Sequence, residues 1–240
     1  LQFFETKHKE QEKVFNFLKN EFPEITSLLY CINSKANDTI YDQEINLFAG
    51  KDHLIETMGT LKFKITSKSF YQTNPKQAYA LYELVKSFAV LEGNEIVYDL
   101  YSGTGTIALF LAALCKKIVG VESIPEAVED AKYNAQINQI KNATFEVGDM
   151  RHIFDETFIE KHGKPDLIVA DPPRDGMHEK VIHQIIALQA PKLIYVSCNS
   201  ATQARDLEKL SCIYNVEISQ AVDLFPQTSH VENVVLLRRK

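Results

Sequence analysis

The chain has 240 residues, 45% of them hydrophobic, and a formal net charge of −6. That content supports a sizeable core, as one large domain or a domain with an appendage, while the acidic balance gives no general support for binding nucleic acid, where lysine and arginine displace counterions. Cys31, Cys115, Cys198 and Cys212 stand far apart without a C-x-x-C pair, which excludes a zinc knuckle, an iron–sulfur ligand set and a disulfide framework, so no metal is expected and a reducing, cytoplasmic setting is.

The first residue is Leu1, and no signal peptide or apolar span of membrane length occurs; the chain reads as part of a longer cytoplasmic, monomeric protein. An opening helix is expected around residues 7–20. The stretches "EITSLLYCINSK", "DTIYDQEINLFAG" and "HLIETMGTLKFKITSKSF" then alternate or carry β-branched runs broken by Asn-Asp and Gly, the pattern of hairpins in an antiparallel sheet. Residues 1–70 thus form a small α+β unit. Its Lys7, Lys9, Lys13, Lys62, Lys64 and Lys68, with Arg238, Arg239 and Lys240, are candidates for one basic face, although a solvated mixed surface is the default for any such run.

Asn74-Pro75 is a good cap and first turn for a helix over 74–91, with Ala78, Leu81, Leu84, Val85 and Phe88 at helical spacing. From Glu95 onward, strand-like runs alternate with helical ones: "EIVYDL", "KIVGVE", "TFEVGD", "DLIVAD", "LIYVSC", "VEISQAVDLF" and "ENVVLLRR". Residues 71–240 therefore read as a doubly wound, mostly parallel α/β domain, in which ligands bind beyond the carboxyl ends of the strands.

The first of those ends is "YDLYSGTGTIALFLA", where Gly103 and Gly105 permit a tight turn ahead of a helix starting near Thr106. Glu122 closes the next strand about twenty residues on, where a carboxylate can hold two ribose hydroxyls, as NAD and S-adenosylmethionine both require. Asp99 and Asp149 add polar groups, Asp149 toward an adenine, although capping a helix is the default role of either alone. In "LIVADPPRDG", Asp171 projects from a strand that Pro172 and Pro173 terminate. An acidic or amide residue before Pro-Pro is frequent in methyltransferases acting on planar bases. Those that methylate amino groups place an aromatic residue next, whereas Arg174 stands here and leaves ring-carbon chemistry.

Cys198 ends the fifth strand on the same edge, ahead of a helix whose N-terminus can lower a thiol pKa and make a nucleophile. Cys31, Cys115 and Cys212 are expected as buried structural cysteines. His230 and Glu232 precede the last apolar run, and spacing alone favours a surface turn for them.

Together, "FYQTNPKQA", "YDLYSGTGTIAL", "VGVESIPEAVEDAKYNAQIN", "DLIVADPPRDG", "LIYVSCNSATQARDL" and "LFPQTSHVENVVLL" closely resemble the RNA uracil-C5 (5-methyluridine) methyltransferase family. The resemblance covers the chain from "FYQTNPKQA" onward; residues 1–65 only loosely resemble the family's central RNA-facing subdomain. It implies a Rossmann-like class I S-adenosylmethionine-dependent methyltransferase domain with a small N-terminal α+β subdomain, acting on a uridine of RNA, with ribosomal RNA favoured over transfer RNA. It also implies Cys198 as nucleophile, Glu232 as general base, and Gln72, Tyr101, Glu122 and Asp171 as walls of the cofactor and base pocket. The family's N-terminal β-barrel and, in some members, its iron–sulfur cysteines have no counterpart here, and Ser102 stands where relatives often carry Cys. An amino-group or cytosine methyltransferase, or a nonenzymatic RNA-binding remnant, are the alternatives.

Overall fold

A short strand, β1 (Gln2–Phe3), leads into helix α1 (His8–Glu21) in the computed structural model, which describes residues 1–37, 39–40 and 42–240. Strands β2 (Ser27–Ile32) and β3 (Asn46–Gly50) complete a three-stranded sheet in the order β1-β2-β3. Phe15 is the aromatic of α1 that turns inward, stacking on Phe48 at 4.4 Å and meeting Phe3 edge-on at 5.6 Å. The expected all-antiparallel pairing fails at one place: β1 and β2 run parallel, Gln2 beside Cys31, because α1 is a crossover that returns the chain in the same direction. Within "DTIYDQEINLFAG" the strand starts only at Asn46, and Asp38 and Tyr41 lie outside the described residues.

Strands β4 (His53–Met58) and β5 (Leu61–Thr66) form a separate hairpin. Its inward residues Met58 and Phe63 pack in one core with Ala78, Leu81 and Val85 of α2 (Pro75–Ala89), so apolar packing runs across residue 70. Asn74 caps α2 by accepting from the Gln77 amide and also donates to the Leu224 carbonyl at 2.8 Å, joining the helix start to the far end of the chain.

The remaining strands, β6 (Ile96–Leu100), β7 (Lys117–Glu122), β8 (Ala143–Val147), β9 (Leu167–Ala170), β10 (Lys192–Ser197), β11 (Tyr214–Val222) and β12 (Glu232–Arg239), make one sheet in the order β11-β12-β10-β9-β6-β7-β8. Helices α3 (Thr106–Ala112), α4 (Pro125–Ile137), α5 (Glu156–His162), α6 (Glu179–Leu188) and α7 (Ser200–Leu210) connect them. Alternation along the strands feeds two cores: Val97, Ile118, Val169 and Ile194 face α2, α3 and α4, while Tyr98, Val119, Ile168 and Tyr195 face α6 and α7. Each such aliphatic side chain taken fully from water contributes roughly 1.5–3 kcal/mol. Strand order reverses between β6 and β9, which places a crevice at their carboxyl ends.

Candidate active site

Register brings the predicted residues to one edge. Leu100 pairs with Ala170, and Ala170 with Tyr195, so Tyr101 and Asp171 emerge side by side from β6 and β9. On the other side of β10, antiparallel pairing ends with Ser197 opposite Asn233. One step further, Cys198 stands across from Glu232.

The loop after β6 is shaped by a strained residue and a glycine. Tyr101 has φ of 62°, a left-handed conformation unusual for an aromatic residue, and it lines two clefts. Gly105, at φ of 80°, admits no side chain, since a Cβ there would meet the Phe145 ring at 2.8 Å. Gly103 instead faces open space and donates its amide to Glu122 Oε2 at 3.1 Å. Glu122 Oε1 accepts the Ser123 and Ile124 amides, so the buried carboxylate is held by three backbone donors. Oε1 also takes the Ser123 hydroxyl, so the acceptor capacity left for an incoming hydroxyl is on Oε2.

The first cleft is lined by Phe70, Tyr71, Gln72, Asp99, Tyr101–Thr104 and Asp171 among others. Asp99 Oδ2 accepts the Ala108 amide, but Asp99 Oδ1, Ser102 Oγ and Thr104 Oγ1 are buried and have no partner among the described residues, which marks a polar ligand's surroundings. The second cleft shares Tyr101 with the first and has Ser123, Val147, Gly148 and Asp149 in its wall. Asp149 forms a bidentate pair with Arg151, which holds its carboxyl well below the usual carboxylate range.

The electrostatics around Cys198 correct one expectation. Its thiol is pushed up rather than down, by burial first and then by the negative charges of Glu232 and Asp171, with the Arg174 guanidinium opposing them. The helix N-terminus gives little help because Asn199 Oδ1 already takes the Ala201 and Thr202 amides. Glu232 is buried, and loss of solvent raises its carboxyl too.

Burial and Glu232 push Asp171 up to about 7. The folded chain thus keeps a proton on Asp171 between about pH 4, where an unfolded aspartate ionises, and about 7. Its stabilising contribution is complete below that window and lost as pH rises through it. Asp171→Asn should therefore raise the melting temperature at pH 8 and leave it nearly unchanged at pH 4; an equal difference at both pH values would refute the assignment.

Several supporting residues were not foreseen. Gln203, buried on α7, donates to the Tyr195 and Asn233 carbonyls and accepts from the Asn233 amide, clamping β10 to β12 just behind Cys198 and Glu232. Asp206, fully buried, accepts from Tyr195 Oη and the Met177 amide, both at 2.7 Å, and pairs with Arg205, fixing the loop that follows Asp171. In sequence both look like ordinary polar positions of an amphipathic helix. Arg174 Nη2 lies 2.9 Å from His230 Nδ1, and the Arg174 carbonyl accepts from Asn199 and Thr202, so the loops after β9 and before β12 meet at the rim.

One other expectation fails. Cys212 is exposed, because it sits in the turn after α7. Antiparallel β12 carries Arg238 and Arg239 to the end of the sheet opposite Cys198, where Arg238 stands in register with Lys192 and pairs with Glu217. Among the described residues no helix is long and apolar enough to cross a membrane, and no three His, Cys, Asp or Glu side chains are grouped to hold a metal ion.

The tRNA (Uracil-5-)-methyltransferase family matches residues 47–240. The chain is 54% identical over 226 residues to an uncharacterized RNA methyltransferase of Bacteroides thetaiotaomicron, covering 94% of this chain and 50% of that protein. It is 52% identical to another of Porphyromonas gingivalis, over 99% of this chain and 51% of that one. It thus spans about half the length of the curated relatives it matches. Among solved structures, the Pyrococcus abyssi tRNA (uracil-54, C5)-methyltransferase in complex with S-adenosyl-L-homocysteine superposes with a TM-score of 0.75 at 33% identity, over 92% of this chain and 52% of that one. A tRNA m1G37 methyltransferase of M. jannaschii, 12% identical with a TM-score of 0.61 over 98% of this chain and 70% of that one, shares the fold.

Proposed function

We propose that this chain, which belongs to the tRNA (uracil-5-)-methyltransferase family, carries the machinery for S-adenosylmethionine-dependent methylation of C5 of a uridine in RNA. The observation that carries this reading is the register that sets Cys198 across from Glu232, on the edge that also bears Asp171 and the glycine loop. The two clefts that share Tyr101 fit the cofactor: Glu122 suits the ribose hydroxyls, Ser123, Val147 and Asp149 the adenine side, and the unpartnered Asp99, Ser102 and Thr104 oxygens a polar tail. When bound, S-adenosylmethionine supplies an electrophilic methyl group and departs as a neutral thioether.

Uracil C5 is a weak nucleophile, and this chain's residues remedy that. Cys198 Sγ gives up its proton to solvent and, as the thiolate, adds to C6; a C–S bond forms, and the electron pair of the C5=C6 bond moves to C5 and is shared with O4. C5 takes the methyl group. Glu232, made more basic by burial, removes the remaining C5 proton, the double bond re-forms and the C–S bond breaks, returning the thiolate. Asp171, ionising near neutrality, can accept from uracil N3–H or donate to O4, and Gln72 offers a second polar edge in the same cleft. Reaching both faces of the base requires the uridine to leave its stack.

The test is incubation with methyl-labelled S-adenosylmethionine and unmodified RNA, followed by nucleoside analysis. Ribosomal and transfer transcripts are both needed, since the expectation of ribosomal RNA stands against the names of the family and of the Pyrococcus enzyme. 5-Methyluridine is expected. Label in 5-methylcytidine or on an exocyclic amine would replace this reading with its alternatives.

A further inference from the structure

One face of α4 carries Asp130, Asn134 and Asn138 at every fourth position, the first two buried. They run antiparallel to β5. Asn138 accepts from the Lys62 amide at 2.8 Å and donates to its carbonyl at 2.7 Å; Asn134 accepts from the Lys64 amide at 2.7 Å and donates to its carbonyl at 3.3 Å. Asp130 Oδ2 accepts from the hydroxyls of Thr66 and Ser69. The match is geometric: four helical residues rise about 6 Å and two strand residues about 6.6 Å, so side-chain amides of α4 can stand in for a third strand along the free edge of β5.

Two of the three do more than dock a hairpin. Asn134 also donates to the Thr104 carbonyl at 3.1 Å, inside the glycine-rich loop. Asp130 pins Ser69, next to Phe70, Tyr71 and Gln72, which form the facing wall of the first cleft. Asn138 touches neither wall. We propose that Asp130 and Asn134 are positioning residues for methyl transfer, fixing the wall at residues 70–72 against the glycine-rich wall and so setting the distance between methyl donor and base. This rests on the reading that the first cleft holds the reacting groups.

Asn138 supplies the control, since Asn138→Ala loses hairpin bonds of the same kind without loosening either wall. The full-length protein is assayed with unmodified tRNA and rRNA transcripts. Asp130→Ala should lower kcat about tenfold or more, because small misplacements are costly in oriented reactions, while S-adenosylhomocysteine affinity by calorimetry stays within about twofold. Thr66→Val/Ser69→Ala, which cuts the same bonds from the loop side, should reproduce that split, and it decides the matter should Asp130→Ala fail to fold. Asn134→Ala should lower both. Asn138→Ala should lower the melting temperature and leave both constants as they are.

Chymotrypsin cleavage after the exposed Phe70 provides a readout independent of catalysis. At equal distances below each melting temperature, cleavage should accelerate in Asp130→Ala and in the double variant but not in Asn138→Ala. Equal cleavage rates and equal kcat values across these variants would overturn the proposal. A wild-type protein that methylates no uridine would sink the functional reading, while the cleavage comparison would still judge the positioning role.

Discussion

Replacing Cys198 by Ala should lower methylation by on the order of 10⁴-fold or more, the scale seen when an enzyme's nucleophile is removed, and should leave no covalent species. Glu232→Gln should slow turnover by roughly 10²–10⁴-fold, the usual range for a lost general base, but with a different signature. The variant keeps the shape of the residue opposite Cys198 and cannot accept the C5 proton, so elimination stalls and a methylated enzyme–RNA adduct accumulates. Denaturing electrophoresis after incubation with S-adenosylmethionine and RNA should show a retarded band for Glu232→Gln and none for Cys198→Ala. Methylation at C5 by Cys198→Ala would dismiss the covalent chemistry. Failure of Glu232→Gln to trap would pass the proton to water or to His230, although His230 is exposed and turned to Arg174.

The largest expected loss of stability lies away from the reacting atoms. Asp206→Ala leaves the Tyr195 hydroxyl and the Met177 amide buried without their acceptor and strips Arg205 of its partner. Removing one member of a buried pair costs about 3–5 kcal/mol, and Arg205, whose side chain is 48% exposed, sets the lower end because water can reach it. A drop of roughly 10 °C in melting temperature follows for a chain of this size. Gly176 belongs to the same arrangement: at φ of 77° its absent Cβ would lie 2.6 Å from Asp206 Oδ2. Asp206→Asn, which keeps an acceptor, should recover part of the loss. A change of less than about 1 kcal/mol in Asp206→Ala, measured by denaturant titration, would mean that the network carries little.

The sheet and its functional edge were legible because the signals there are local. Apolar runs ending in "SGTG", "DPPR" and "SCNS" identify strand ends without knowledge of their neighbours, and β6, β9 and β10 all lie where those runs do. What escaped depends on residues distant in sequence. The direction of the Cys198 shift comes partly from Glu232 and Asp171, which only the strand order brings near. Gln203, Asp206, Asn134 and Asn138 are polar residues on helices, indistinguishable from solvent-facing ones until the packed partner is known. The parallel pairing of β1 required knowing that α1 crosses back over its own sheet.

β12 follows β11 in the chain, yet it is not an edge strand. β12 lies between β10 and β11, and pairs with both. A nascent chain that has emerged only as far as β11 therefore has a vacancy inside its sheet, with two unpaired strand borders open to any passing extended segment. Glu232, the first residue of the strand that fills the gap, takes its place across from Cys198 in the same moment as closure. Losing β12 would therefore not trim a border of the sheet but open its interior, leaving an adhesive product of the kind that chaperones and proteases remove.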